Sequence, residues 1–185
     1  IGLFFFGWAV LCEKFAVGNV CYALIGAAIP LMISGGFHVD GYMDTMDAFH
    51  SYQSREKKLE ILKDSHIGAF AAIMLALYYM IDIAAISEIH TQKAVSALAA
   101  VFFLARCFSG IAVMTLQPAK KEGLLYTFAS SAQKVRVKAA LYFQAALCVV
   151  LMLLVSGWYG AAAIGAALLS FFYFKKKSYK ELGGI

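Results

Sequence analysis

Charge is scarce in this chain. Asp, Glu, Lys and Arg supply 15% of its 185 residues while hydrophobic residues supply 62%, where soluble domains carry roughly 25% charged and 45 to 50% apolar residues. That balance excludes an ordinary soluble domain and places the chain in lipid. Cysteine pairing is missing as well. Cys12, Cys21, Cys107 and Cys148 are scattered through apolar segments with no CxxC spacing, which excludes thiolate-metal and disulfide frameworks and leaves small buried hydrophobes. His50, His66 and His90 lack zinc spacing. Ile1 to Val10 lacks the basic start and small-residue cleavage site of a signal peptide. With no initiator Met and Ile1 falling in mid-run, a fragment of a longer protein is expected. Linkers, low-complexity tracts and repeats are absent too, so the expectation is one helical domain over 1–185.

What is present is a series of long apolar runs. Residues 15–36, 67–87, 94–116, 139–156 and 159–174 approach or reach the roughly 17 to 25 residues that cross a bilayer, and 1–12 reads as a sixth span cut short. The expected fold is therefore an all-α polytopic membrane bundle of about six transmembrane segments. Basic residues fall in alternate connections: Arg55, Lys57, Lys58 and Lys63; then Lys120, Lys121, Lys134, Arg136 and Lys138; then Lys175, Lys176, Lys177 and Lys180. The opposite turns carry only Lys14 and Lys93. The positive-inside rule makes the first set cytoplasmic, and Trp158, Tyr159 and Phe171 to Phe174 suit interfacial aromatic belts. Two cytoplasmic loops, 37–66 and 117–138, then hold most of the polar chemistry. Within the first, Ser54 is an N-cap candidate for a short interfacial helix carrying Leu59, Ile61 and Leu62.

The densest chemistry is Gly35-Gly36-Phe37-His38-Val39-Asp40-Gly41-Tyr42-Met43-Asp44-Thr45-Met46-Asp47. At about 100° per residue its three carboxylates fall within roughly 60° of one another on a helix face. Like charges so placed repel, and a hard divalent cation, Mg²⁺ bridging to a phosphorylated substrate, is their natural compensator. The plainer reading is an acid-rich, solvated helix end. Gly41 weakens a helix but lets a ligand or another backbone come close. Asp64 and Glu60, just before the next span, read either as members of the site or as ordinary helix ion pairs, and Lys63 as a phosphate partner. Arg106 stands near the middle of an apolar span, where a cation needs a partner, so it reads as a phosphate contact or a structural ion pair. His38 reads as a general base, as a group that orients a ligand, or as a structural histidine.

These residues resemble a known family. The run 35–47, then Arg55 to Leu59 and Glu60-Ile61-Leu62-Lys63-Asp64-Ser65-His66-Ile67-Gly68, look like cobalamin synthase, the adenosylcobinamide-GDP ribazoletransferase family. The similarity continues through Ala105-Arg106-Cys107 and Gln117 to Leu124. The resemblance implies a polytopic inner-membrane enzyme of the bacterial cell with its polar loops facing the cytoplasm. Such an enzyme uses Mg²⁺ to join adenosylcobinamide-GDP to α-ribazole or its 5′-phosphate and releases GMP. It implies an acidic metal site at Asp40, Asp44, Asp47 and Asp64, with Lys63 and Arg106 as phosphate partners. Its partners would be the two substrates and the bilayer, with a homo-oligomer left open and nucleic acid not expected. The chain departs from the family pattern with Ala48 after the third Asp and with His66 where many members have Arg. Its end at Leu182-Gly183-Gly184-Ile185 falls where the family continues into a Thr-Gly-Asp segment.

Rival readings are a CDP-alcohol phosphotransferase or a membrane prenyltransferase. The first lacks its Asp-Gly-x2-Ala-Arg opening here, and the second lacks a separate second Asp-rich motif. A small ion transporter fits less well, because transport sites lie near the bilayer midplane in broken helices.

Overall fold

The computed structural model describes residues 1–64, 66–119 and 134–185. They form α1 (Gly2–Lys14), α2 (Asn19–Ser34), α3 (Phe37–His50), α4 (Arg55–Ile61), α5 (Ala69–Ile86), α6 (Gln92–Thr115), α7 (Lys134–Ser156) and α8 (Trp158–Leu182), with no strand among the described residues. The all-α expectation holds.

The number of crossings is lower than the six expected. Among the described residues, Ala69–Ile86, Gln92–Thr115 and Val135–Ser156 are long and apolar enough to cross a bilayer, and α2 with α3 makes a fourth if that bent pair is one span. The reason is length and charge. The 13 residues of α1 and 16 of α2 reach only about 20 and 24 Å at 1.5 Å per residue, short of the roughly 30 Å hydrocarbon core. The last turns of α8 carry Lys175, Lys176, Lys177, Lys180 and Glu181, which dilute its apolarity. The spans that qualify turn large side chains outward, among them Met80 on α5 and Leu154 on α7 at 69% and 76% exposure. In water such continuous apolar faces would aggregate, whereas lipid solvates them.

The described residues fall into two compact units, residues 3–91 with Ile1 and residues 92–185 with Gly2. In the first, the fully buried Phe5 of α1 lies 6.4 Å from the Tyr22 ring of α2, and Gly26 admits Phe5 and Ile86 beside the α2 backbone. The Tyr22 hydroxyl donates to the Ile89 carbonyl at 2.7 Å, and Trp8 Nε1 donates to the Tyr22 carbonyl at 3.0 Å.

In the second unit, Leu104 and Cys107 of α6 pack with Ala145, Cys148 and Met152 of α7, and Phe108 meets Phe171 of α8 at 5.5 Å. Cys12, Cys107 and Cys148 are buried as small hydrophobes, while Cys21 is exposed. The chain end folds back in this unit. The Ile185 amide donates to the Gln117 carbonyl at 2.9 Å, and the Ala119 amide donates to the Ile185 carbonyl at 2.7 Å.

The stretch 37–66, expected as a loop, is mostly helix, because α3 and α4 occupy it. Of the second expected loop, 117–138, residues 120–133 lie outside the described residues, Lys120 and Lys121 among them, and from residue 134 the chain is already α7. Ser54 caps α4 as expected, its hydroxyl accepting the Lys57 amide at 3.4 Å. The joint that matters most for the site is Gly35-Gly36. Both glycines take left-handed φ, 60° and 83°, a conformation that costs other residues about 1 to 2 kcal/mol. Two in succession end α2, restart the helix as α3 and turn it by 97°.

Candidate active site

Helix α3 carries Asp40, Asp44 and Asp47 in successive turns, and it packs along α5 with α4 beside it. The Tyr42 hydroxyl anchors it by donating to the Met74 carbonyl of α5 at 3.2 Å. Against this face lies a cleft of about 270 Å³ lined by Asp40, Met43, Asp44, Asp47, Leu62, Lys63, Asp64, Ile67 and Ala71. All four expected acids and Lys63 thus meet in one space inside the first unit. The period-3.6 argument for α3 holds, and the segment after α4 supplies the opposite wall.

The acids differ in what they do there. Asp40 is exposed and Asp44 half-buried. Asp64, also exposed, accepts the His66 backbone amide at 3.0 Å and lies 2.6 Å from Nδ1 of its ring, which donates in the tautomer that carries its proton there. Those bonds, the ring's first, hold the Asp64 carboxyl below the usual aspartate range. Asp47 reaches across to the start of α5, where the Gly68 amide donates to Oδ2 at 2.6 Å and the Ala71 amide to Oδ1 at 3.0 Å. Gly68 is the N-cap of α5 and supplies no side-chain cap, and the first turn of α5 holds no acid. A carboxylate from another helix therefore satisfies both the N-cap and third-turn-residue amides, the two that a capping box would serve. Charge-assisted bonds of this kind are each worth about 1.5 to 3 kcal/mol.

Other expected residues lie elsewhere. Glu60 points to Lys57, with a 2.8 Å ion pair on the exposed face of α4, and does not line the cleft. Its ordinary ion-pair reading is the one the structure supports. His38, exposed at the start of α3, packs edge-on to Phe37 at 5.7 Å and is outside the lining. Gly41 is exposed, and a Cβ added there would meet nothing within 4 Å. Arg106 sits on α6 in the second unit, exposed, next to the buried Cys107. Sequence reasoning passed over Gly68 as a site residue. Its signal was a glycine directly ahead of an apolar run, the position of a helix cap that needs help from outside.

The donor chemistry suits a hard cation, since carboxylates line the cleft and neither thiol nor imidazole does. Among the described residues no three His, Cys, Asp or Glu side chains stand close enough to hold a metal by themselves. Mg²⁺ ordinarily binds through one or two carboxylates and completes its shell with water and substrate phosphate, and the cleft fits that mode rather than a protein cage.

Bilayer-length apolar helices and an acidic cleft beside α3 define a helical membrane protein with a polar, carboxylate-lined site. The family model for cobalamin-5-phosphate synthase matches residues 1–185. The chain is 40% identical over 184 residues to the adenosylcobinamide-GDP ribazoletransferase of Lachnoclostridium phytofermentans, covering all of this chain and 70% of that one. It is 31% identical over 161 residues to a protein of the same name from Clostridium botulinum, covering 85% and 62%. A Rhizobium etli protein of that name is 39% identical over 106 residues, covering 55% and 41%. No solved structure matches. The chain belongs to the cobalamin-5-phosphate synthase family, a family of transferases of cobalamin assembly.

Proposed function

We propose that this protein joins adenosylcobinamide-GDP to α-ribazole or α-ribazole 5′-phosphate at the cytoplasmic face of the bacterial inner membrane, releasing GMP. The observation that carries the reading is the meeting of Asp40, Asp44, Asp64 and Lys63 around one cleft in a chain matched end to end by this family. The name of the relatives supports the same substrates.

Phosphoryl transfer asks an enzyme for positioning and charge neutralisation rather than covalent help. Asp40 and Asp44 on α3 face Asp64 across the cleft, and one or two of these carboxylates would hold Mg²⁺, with water and the substrate diphosphate completing its shell. When bound, the ion supplies Lewis-acid stabilisation of charge developing on the phosphoryl oxygens and the departing GMP. Lys63, at the same wall, pairs with a phosphate oxygen. The proton of the attacking ribose hydroxyl passes to one of the cleft carboxylates. The basic residues flanking the spans keep this face on the cytoplasmic side.

The test is incubation of membranes containing the protein with adenosylcobinamide-GDP, α-ribazole and Mg²⁺. A cobalamin product and GMP are expected in equal amounts, both abolished by EDTA and restored by Mg²⁺. Turnover that persists in EDTA removes the metal from the proposal. Absence of any corrinoid product removes the activity.

A further inference from the structure

The Asp47 carboxylate is tied to the start of another helix. Both of its oxygens take backbone amides, from Gly68 and Ala71, across 21 and 24 residues of sequence. The fit leaves no slack, because a Cβ on Gly68 would fall on the Asp47 carboxylate itself. Two independent features, a doubly bonded acid and a glycine that its approach requires, therefore describe one latch between α3 and the start of α5. Ile67, directly before the latched pair, and Ala71, which bears one of the two amides, line the cleft, and Lys63 and Asp64 precede them on the same wall.

We propose that Asp47 is a positioning residue. It fixes the wall bearing Lys63 and Asp64 against Asp40 and Asp44, and its role is to set the cleft's width rather than to ligate the ion. This deepens the phosphoryl-transfer reading and rests on it for its kinetic arm. Each Asp47 oxygen already accepts a backbone amide, and the negative charge sits on the positive end of the α5 dipole. Asp40, which the helix presents to solvent at the rim of the cleft, stands where a phosphate-bound cation reaches it. A wall released by about 1 Å is enough to cost a reaction of this kind about 100-fold.

The experiment compares Asp47→Asn, Gly68→Ala and Asp40→Asn in the purified full chain in detergent. Amide hydrogen exchange is read by mass spectrometry on the peptide holding Gly68 and Ala71, and turnover is read as a function of Mg²⁺. Asp47→Asn and Gly68→Ala are both expected to speed exchange at that peptide by about tenfold or more. Both should lower kcat by about tenfold or more while the Mg²⁺ concentration for half-maximal rate stays within about twofold. Asp40→Asn is expected to leave exchange there unchanged and to raise the half-saturating Mg²⁺. Wild-type exchange in Asp47→Asn overturns the latch. A shift in half-saturating Mg²⁺ as large as that of Asp40→Asn overturns the positioning role in favour of ligation. A lowered melting temperature with kcat per folded molecule unchanged reduces Asp47 to a merely structural residue and equally overturns it. Should Asp47→Asn fail to accumulate, Gly68→Ala keeps the carboxylate and carries the same readouts. If the wild-type protein forms no cobalamin, the functional reading fails while the exchange arm still decides the latch.

Discussion

Nδ1 of His66 lies 2.6 Å from Oδ1 of Asp64, and the backbone amide of the same histidine lies 3.0 Å from that oxygen. One residue thus grips a cleft carboxylate twice. The contact lowers the Asp64 pKa from its ordinary 3.8. A depressed carboxylate contributes stability that is fully present above the unfolded value and is lost as pH falls through the folded one. Between about pH 5 and 8 Asp64 therefore stays ionised, and an acid limb of kcat/KM in that window belongs to another group. His66→Ala is expected to move the Asp64 pKa back up toward 3.8, as read by carboxyl ¹³C chemical shifts across an acid titration. An unchanged pKa would show the ring bond to be without effect.

Asp40→Asn and Asp44→Asn keep shape and remove charge at the cleft. Each is expected to reduce kcat/KM by at least about 100-fold, which is about 2.7 kcal/mol of transition-state stabilisation at 1.36 kcal/mol per factor of ten. Both variants should retain wild-type helicity by circular dichroism, because neither side chain is buried. Near wild-type turnover in either would remove that residue from the site.

Two glycines a few residues apart should respond in opposite ways to a methyl group. Gly36 holds φ at 83°, so Gly36→Ala is expected to cost about 1 to 2 kcal/mol and to lower the melting temperature. Gly41 lies inside α3 with open space around a new Cβ, so Gly41→Ala should stabilise by up to about 1 kcal/mol. If Gly41→Ala instead loses activity while gaining stability, a substrate passes close to that backbone. Thermal unfolding followed by circular dichroism, run beside the turnover assay, separates the two effects.

Tyr22 ties α2 to the end of α5 through the 2.7 Å bond from its hydroxyl to the Ile89 carbonyl, away from the cleft. Tyr22→Phe is expected to cost about 0.5 to 1.5 kcal/mol in stability and to leave kcat and KM within about twofold of wild type. A large kinetic effect would mean that the far end of α5 is coupled to the chemistry.

Much of this was legible in the residues, and for physical reasons. Apolar runs gave the positions of α5, α6 and α7 to within a few residues, except that α7 begins about one turn early, because burial in lipid demands unbroken hydrophobicity. The helical period put Asp40, Asp44 and Asp47 on one face, and Ser54 declared the start of α4. Local rules failed where the polar content of 37–66 suggested loop, although α3 needs only one apolar side to pack on α5. They failed again on the number of crossings, where α1 and α2 are apolar but short. The role of Asp47 was hidden because its partners are 21 and 24 positions away, and no pattern within one helix reports a bond to the next but one. Of the two readings open for Glu60, the local pairing is the one seen in the fold, because its partner Lys57 is close at hand.

Because α5 borrows its cap from α3, positions 47 and 68 are expected to be inherited as one unit. A larger residue at 68 leaves no room for the acid at 47, and a shorter or neutral side chain at 47 strands the amides that only a glycine lets it reach. In the relatives, then, these two positions should change together or not at all, and a lineage that alters one is expected to carry a new hydroxyl or carboxyl cap within the opening turn of its own α5.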